Sequence, residues 1–314
     1  MARAVWGLPE LPKMMRWLTP LVVLSLLLTA CSASPPATPD GRLKVVATFS
    51  VIGDFARVVG GDQIELTTLV GAGRDTHTFD PNPTDGVALA RASLILENGL
   101  GFETWLDDLY ASSGSRGSRI VVTKGIEPRM ATAGGGAQAA DPHVWHAVAN
   151  AIQMIGNIRD ALGKADPAHA QTYQANAEAY VAQLQELDAW VFAEVNALPE
   201  GRRKLVTTHD TFGYFAQRYG FKIVGTVLPA STEGASPSAQ QVAALVEAVK
   251  AQGVPAVFAE NVSSNAILQQ VANEAGVKIV GSLYTDALGP PGSDGETYLK
   301  MMRRNVTTIV AALR

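Results

Sequence analysis

The chain has 314 residues, 47% of them hydrophobic and 17% charged, with a formal net charge of −4 and no basic cluster, which argues against nucleic acid as a partner. It contains a single cysteine, so disulfides cannot staple the fold and thiolate metal sites are excluded. Without the first thirty residues, which hold Arg3, Lys13, Arg16 and Glu10, the charge becomes −6, compatible with cation capture but no argument for it.

Lys13 and Arg16 precede an apolar stretch from Leu21 to Ala30 that ends in Leu28-Thr29-Ala30-Cys31. A basic region, a short apolar region and a small-residue cleavage site make a secretory leader. The apolar run is about half of the ~20 residues that a transmembrane helix needs. Leu-Thr-Ala-Cys resembles the bacterial lipobox, which implies a lipoprotein signal peptide over residues 1–30 and lipidation of Cys31; the alternative is an ordinary secretory signal with an incidental cysteine. Met14 or Met15 would be a more usual start than Met1. Residues 31–42, rich in proline and small side chains, read as a tether.

The body alternates strand and helix patterns. Leu43–Phe49, Ile64–Val70, Ser93–Glu97 and Arg119–Thr123 are predicted as buried strands, followed later by Lys204–Thr208, Lys222–Leu228, Ala256–Glu260 and Lys278–Tyr284. Helical patterns cover Ser238–Gln252, Ser264–Ala275 and Thr297–Leu313. Two such series predict an α/β fold with two lobes of parallel sheet and flanking helices, over 43–165 and 199–314. Between them, residues 166–198 carry no glycine or internal proline after Asp166-Pro167, a helix-start pair. Tyr173, Ala177, Tyr180, Leu184, Leu187, Val191 and Val195 mark one face of a long, rigid spine helix. The Gly-Gly-Gly-Ala stretch at 134–137 is expected to be a mobile loop, and no internal repeat is visible.

Five histidines are present. His77 follows the second strand, His143 precedes a helix after the glycine-rich loop, and His209 follows the strand at 204–208. Asp286 sits after the last strand. Ligands of open α/β sheets bind beyond the carboxyl ends of strands, so two candidates from each lobe could converge on the cleft between lobes. Each histidine alone reads as a surface or capping residue; the shared placement is what raises them together. Three imidazoles and a carboxylate suit Zn²⁺, with Mn²⁺ or Fe²⁺ as alternatives, whereas calcium and magnesium prefer all-oxygen sites.

Four segments resemble the substrate-binding lipoproteins of zinc and manganese ABC importers. They are Asp75-Thr76-His77-Thr78-Phe79-Asp80-Pro81, Asp141-Pro142-His143-Val144-Trp145, Leu205–Phe215 around His209, and Thr285-Asp286-Ala287-Leu288-Gly289. Phe258-Ala259-Glu260-Asn261 matches a further landmark that is not usually a ligand. The resemblance covers essentially the whole mature chain. It implies a metal site of His77, His143, His209 and Asp286 in the interlobe cleft, and no enzymatic role. It further implies an extracytoplasmic monomer, lipid-anchored to the bacterial cell membrane or periplasmic, that delivers its ion to a membrane permease. Manganese-selective members usually carry glutamate where His209 stands, which favours Zn²⁺ here, with a Mn²⁺ or Fe²⁺ receptor as the alternative. His146 stands where the family generally has leucine and could approach the metal; His169 reads as solvated. The segment 131–140 carries no histidine or acidic residue, so auxiliary metal capture is not expected. A mononuclear zinc hydrolase with Glu260 as base, and a surface adhesin, are the competing readings.

Overall fold

The computed structural model describes residues 1, 2, 4, 41–132, 137–230 and 236–314. Cys31 and residues 134–136 of the expected mobile loop lie outside the described residues. The elements all belong to one unit, Thr38–Arg314. The first half contains β1 (Leu43–Phe49), α1 (Ser50–Gly60), β2 (Ile64–Val70), α2 (Pro83–Arg91), β3 (Leu94–Glu97), α3 (Leu106–Ser113) and β4 (Ser118–Val121). A hairpin of β5 (Met130–Thr132) and β6 (Gln138–Ala140) follows, then α4 (Val148–Ala165) and the long α5 (Ala170–Asn196). The second half contains β7 (Lys204–His209), α6 (Gly213–Tyr219), β8 (Lys222–Leu228), α7 (Ala239–Gln252), β9 (Ala256–Glu260), α8 (Ala266–Ala275), β10 (Lys278–Leu283) and α9 (Tyr298–Leu313).

Two four-stranded parallel sheets result, in the orders β2-β1-β3-β4 and β10-β9-β7-β8. Counted within its own half, each sheet has the same order, with its first and third strands side by side at the centre. Strand order reverses at those neighbours, where an open α/β sheet leaves a crevice beyond its carboxyl ends. The central strands are continuous apolar runs because both faces are covered. Val46, Leu69, Leu89, Ile95 and Leu106 fill the layer under α2 and α3, and Val206, Leu245, Val249, Val257, Leu268 and Val271 fill that under α7 and α8. The inner faces share one larger core with α5, which includes Phe49, Phe55, Trp145, Leu184, Phe215 and Tyr298. Helix starts follow local chemistry: Asn82 with Asp85, and Ser238 with Gln241, form reciprocal capping boxes on α2 and α7.

Helix α5 buries Tyr173, Ala177, Tyr180, Leu184, Leu187, Val191 and Val195, the face read from the sequence. Its 27 residues span roughly 40 Å. The helix starts at Ala170, after a single 3-10 turn at Pro167–His169. The Asp166 carboxylate, at the head of that turn, accepts from the Tyr173 hydroxyl at 2.7 Å and lies 2.7 Å from His169 Nδ1. The two ends of α5 hold different lobes. Asn176 Nδ2 donates to the Val59 carbonyl of α1 at 3.0 Å, whereas Asp188 accepts from Arg218 Nε at 2.8 Å and from the Tyr219 hydroxyl at 2.7 Å, both on α6.

Leu187 is fully buried on this face. Leu187→Ala should lower stability by roughly 2–5 kcal/mol, as deletion of a buried isobutyl group does, measured by urea unfolding with an unchanged m-value.

Candidate metal centre

His77 lies in the loop between β2 and α2. Its backbone N–H donates to Asp75 Oδ1 at 2.8 Å, and Thr78 Oγ1 donates to Asp75 Oδ2 at 3.1 Å. Asp75 therefore folds the loop on itself in an Asx turn, and Trp105 Nε1 pins it by donating to the Thr76 carbonyl at 2.9 Å. His143 sits between β6 and α4. Asp141 Oδ1 accepts both the backbone N–H of His143, at 3.0 Å, and its Nδ1–H, at 2.8 Å. Strand pairing places His209: Thr207 stands opposite Phe258, so two residues on, the last residue of β7 meets Glu260, the last of β9. The His209 backbone N–H donates to Glu260 Oε1 at 2.8 Å, and Glu260 Oε2 lies 2.5 Å from His209 Nδ1.

Asp286 follows β10 in a loop fastened on both sides. Trp145 Nε1 donates to the Thr285 carbonyl at 3.1 Å, the Leu288 N–H donates to Ser50 Oγ at 2.9 Å, and the Gly73 N–H donates to the Leu288 carbonyl at 2.9 Å. From the second half, Asn261 accepts the Thr285 N–H and donates to the Ala287 carbonyl, each at 3.1 Å, while Thr285 Oγ1 donates to Glu260 Oε2 at 3.1 Å.

These four residues are all buried, and one donor atom from each lies within 4.8 Å of the others. His77 Nε2 is 3.3 Å from His143 Nε2 and 3.7 Å from Asp286 Oδ2. His143 Nε2 is 3.4 Å from Asp286 Oδ1, and His209 Nε2 is 3.0 Å from Asp286 Oδ2. A tetrahedral ion with bonds of 2.0–2.1 Å separates its ligand atoms by roughly 3.3–3.4 Å, and these spacings bracket that value. Because Asp141 takes the Nδ1–H of His143, Nε2 presents a lone pair to the centre. Glu260 stands against Nδ1 of His209, with Asp286 at its Nε2, and the two carboxylates favour a proton there. Lone pairs and a carboxylate aimed at one dry point repel one another unless a cation or a proton lies between them.

The charge states follow. Burial drives His77 down to about 3, against the pull of Asp286, so it is neutral. Burial also works against protonated His209, but Glu260 and Asp286 overcome it and hold its pKa well above 6.5. Burial opposes the carboxylate of Asp286, yet His209 and His143 keep its pKa well below the usual range. Asp141 is likewise penalised by burial and held ionised by His143 and Arg129.

His146 is not brought into the group. Its ring is fully buried between Trp145 and Phe212, at centroid distances of 5.6 and 4.6 Å, with no hydrogen bond at either nitrogen. Burial lowers its pKa to about 3. His169 is 40% exposed on its side chain and pairs with Asp166. The supports are what motif reading leaves without roles: Asp141 and Glu260 behind the imidazoles, Asn261 around the Asp286 loop, and Glu103 below it all. Glu103 accepts from Thr48 Oγ1 at 2.6 Å and from the N–H groups of Asn98 and Gly99 at 2.7 and 3.0 Å. It thereby sets Phe102 edge-on to His77, with ring centroids 4.8 Å apart. Only the i, i+2 spacing of Asp141 and His143 signals such a support locally.

A family model described as zinc-uptake complex component A, periplasmic, matches residues 45–312. The chain belongs to the ZnuA family. The manganese-binding lipoprotein MntA of Halalkalibacterium halodurans is 37% identical over 295 residues, covering 93% of this chain and 96% of that protein. The iron-binding protein YfeA of Yersinia pestis is 36% identical, covering 91% of each. Among solved structures, the periplasmic zinc-binding protein TroA of Treponema pallidum superposes with a TM-score of 0.80 at 31% identity, covering 87% of this chain and 99% of that one. As a ZnuA-family member, the chain is a substrate-binding protein of a metal ABC transporter and works with a membrane permease. The family is one of receptors and not of enzymes, which removes the hydrolase reading. Among the described residues no helix is long and apolar enough to cross a membrane.

Burial pushes the Glu103 carboxyl from 4.5 up to about 7, despite its three donors. Between those values the folded state holds a proton that the unfolded chain has lost. The stability due to this group is therefore full below about pH 4.5 and is lost as pH rises through 7. Relative to Glu103→Gln, the parent should lose on the order of 2 kcal/mol between pH 5 and pH 8, measured by urea unfolding of both proteins.

Proposed function

We propose that His77, His143, His209 and Asp286 capture one divalent transition metal ion outside the cytoplasm, Zn²⁺ in preference to Mn²⁺ or Fe²⁺, for delivery to the importer's permease. The ion is the cargo of the protein. The observation that carries this reading is a buried group whose donors all lie within 4.8 Å of one another, with four of the spacings between 3.0 and 3.7 Å. Three imidazoles with one carboxylate suit Zn²⁺, whereas Mn²⁺ favours oxygen-rich, higher-coordinate sites. One observation supports the manganese or iron reading: Asp286 Oδ1 is buried without a hydrogen bond and faces His143 Nε2 at 3.4 Å, so both carboxylate oxygens are available to a larger coordination shell.

In this reading the chain is a monomer, tethered by a lipid on Cys31 to the extracytoplasmic face of the membrane. The folded lobes correspond to residues 43–165 and 199–314, with 166–198 between them. Membrane partition of the acylated chain, lost in Cys31→Ser, tests the anchor.

Elemental analysis of the mature chain, carrying Cys31→Ser and purified without a chelating tag, tests the cargo. About one zinc per chain is expected, with a loss in affinity of at least 10-fold in His209→Ala. Manganese or iron at the same stoichiometry would keep the receptor and replace its metal. No bound ion after reconstitution would remove the four-residue site.

Metal must displace the proton that Glu260 and Asp286 hold on His209 in the free site. Zn²⁺ binding at pH 7 should release about one proton per ion, so affinity falls as pH falls below the His209 pKa. Titration calorimetry in two buffers of different ionisation enthalpy measures that number directly.

A further inference from the structure

We infer that Arg129 is a positioning residue for the metal ion, holding His143 through Asp141 and fastening that arrangement to helix α6 of the other lobe. This role deepens the metal-binding function proposed above and depends on it. Arg129 stands immediately before β5, and its Nη1 donates to Asp141 Oδ2 at 2.5 Å. The other oxygen of that carboxylate takes the Nδ1–H and backbone N–H of His143. One carboxylate thus bridges a guanidinium and a ligand imidazole. The backbone repeats the link: the Asp141 N–H donates to the Arg129 carbonyl at 2.7 Å. Tyr214 closes the loop, its hydroxyl accepting from the Arg129 N–H and donating to the Asp141 carbonyl, each at 2.9 Å.

The second half of the role lies in α6. The guanidinium rests on Gly213, the first residue of that helix, where a Cβ would overlap its Nη1, Cζ and Nε atoms. Asp210, next to His209, places Oδ1 4.0 Å from Arg129 Nη1. One side chain therefore touches the acceptor behind His143 and the segment that follows His209. A planar guanidinium can lie flat on a glycine and still present an N–H edge to a carboxylate, which an ammonium on a flexible stem does not reproduce.

The two imidazoles are supported unequally as a result. Glu260, behind His209, receives hydrogen bonds from Thr285 and the His209 backbone and has no Lys or Arg within ion-pair distance among the described residues. Asp141 shares its charge with Arg129, so it polarises His143 less than Glu260 polarises His209 and depends on Arg129 for its orientation.

Groups that orient metal ligands typically account for 10–100-fold in affinity. The parent, Arg129→Met, Gly213→Ala, Asp141→Asn, the Arg129→Met/Asp141→Asn double variant and His143→Ala are compared in the full mature chain. Readouts are Zn²⁺ affinity, the rate of zinc loss to a chelator, the visible spectrum of the Co²⁺ form and the melting temperature of the metal-free protein. Arg129→Met should bind about 10-fold or more weakly, release zinc faster and shift the Co²⁺ bands, and its metal-free melting temperature should fall because Asp141 keeps a buried charge without its guanidinium. Gly213→Ala keeps the charge but displaces the guanidinium, and should move affinity and spectrum the same way. The double variant should lose no more than Asp141→Asn alone.

Parent-like affinity, release rate and spectrum in both Arg129→Met and Gly213→Ala would overturn the role. Fully additive losses in the double variant would show that Arg129 does not act through Asp141, and would overturn it too. His143→Ala separates the two levels: parent-like binding there removes the metal site itself, whereas loss there beside intact binding in Arg129→Met removes only the part assigned to Arg129.

Discussion

The convergence of three imidazole nitrogens and the Asp286 carboxylate on one dry point is the constraint around which the fold is arranged. Such a group is costly, because each polar atom has left water and faces others of like polarity. The protein does not relieve it by hydrogen-bonding the inner nitrogens outward. It sets the outer nitrogens of His143 and His209 against Asp141 and Glu260, and so aims the inner nitrogens at Asp286, with a proton on His209 in the free site. The strand order puts His209 and Glu260 side by side at the centre of the second sheet, and the loops beyond β2, β6 and β10 bring the other three donors to the same point. A charge entering that space supplies the missing attraction.

Much of this was legible in sequence. The runs at 43–49, 64–70, 222–228 and 256–260 form strands over those same residues, because short runs rich in β-branched side chains fit a pleated sheet, at its edge as well as at its centre. The buried face of α5 was readable for a similar reason, since a 3.6-residue period over 27 residues leaves little ambiguity. Placement beyond strand ends raised the four donors as candidates, and likeness of motifs then singled them out. Local pattern failed where the decisive partner is distant. Asp166-Pro167 does open a helical turn, but a 3-10 one, and the α-helix itself begins only at Ala170. The hairpin β5–β6 flanks a glycine-rich segment whose small, polar strands carry no strand signal.

His146 shows the same limit from the other side. Its spacing from His143 invites a second ligand, but the 3-10 turn at Val144–His146 carries it between Trp145 and Phe212. Glu260 is the converse: as a motif residue it had no role until the pairing of Thr207 with Phe258 set it against His209. Register and rotamer decide both, and neither is written in residue spacing.

The loop that carries Asp286 is bonded to Ser50, Gly73 and Trp145 on one side and to Glu260 and Asn261 on the other. Helix α5 is likewise bonded to α1 near one end and to α6 near the other. A third tie runs from Tyr214 of α6 to Arg129 and Asp141, behind His143. Any motion that parts His143 from His209 must therefore break at least one of these hydrogen bonds, so the donors are held together before an ion arrives.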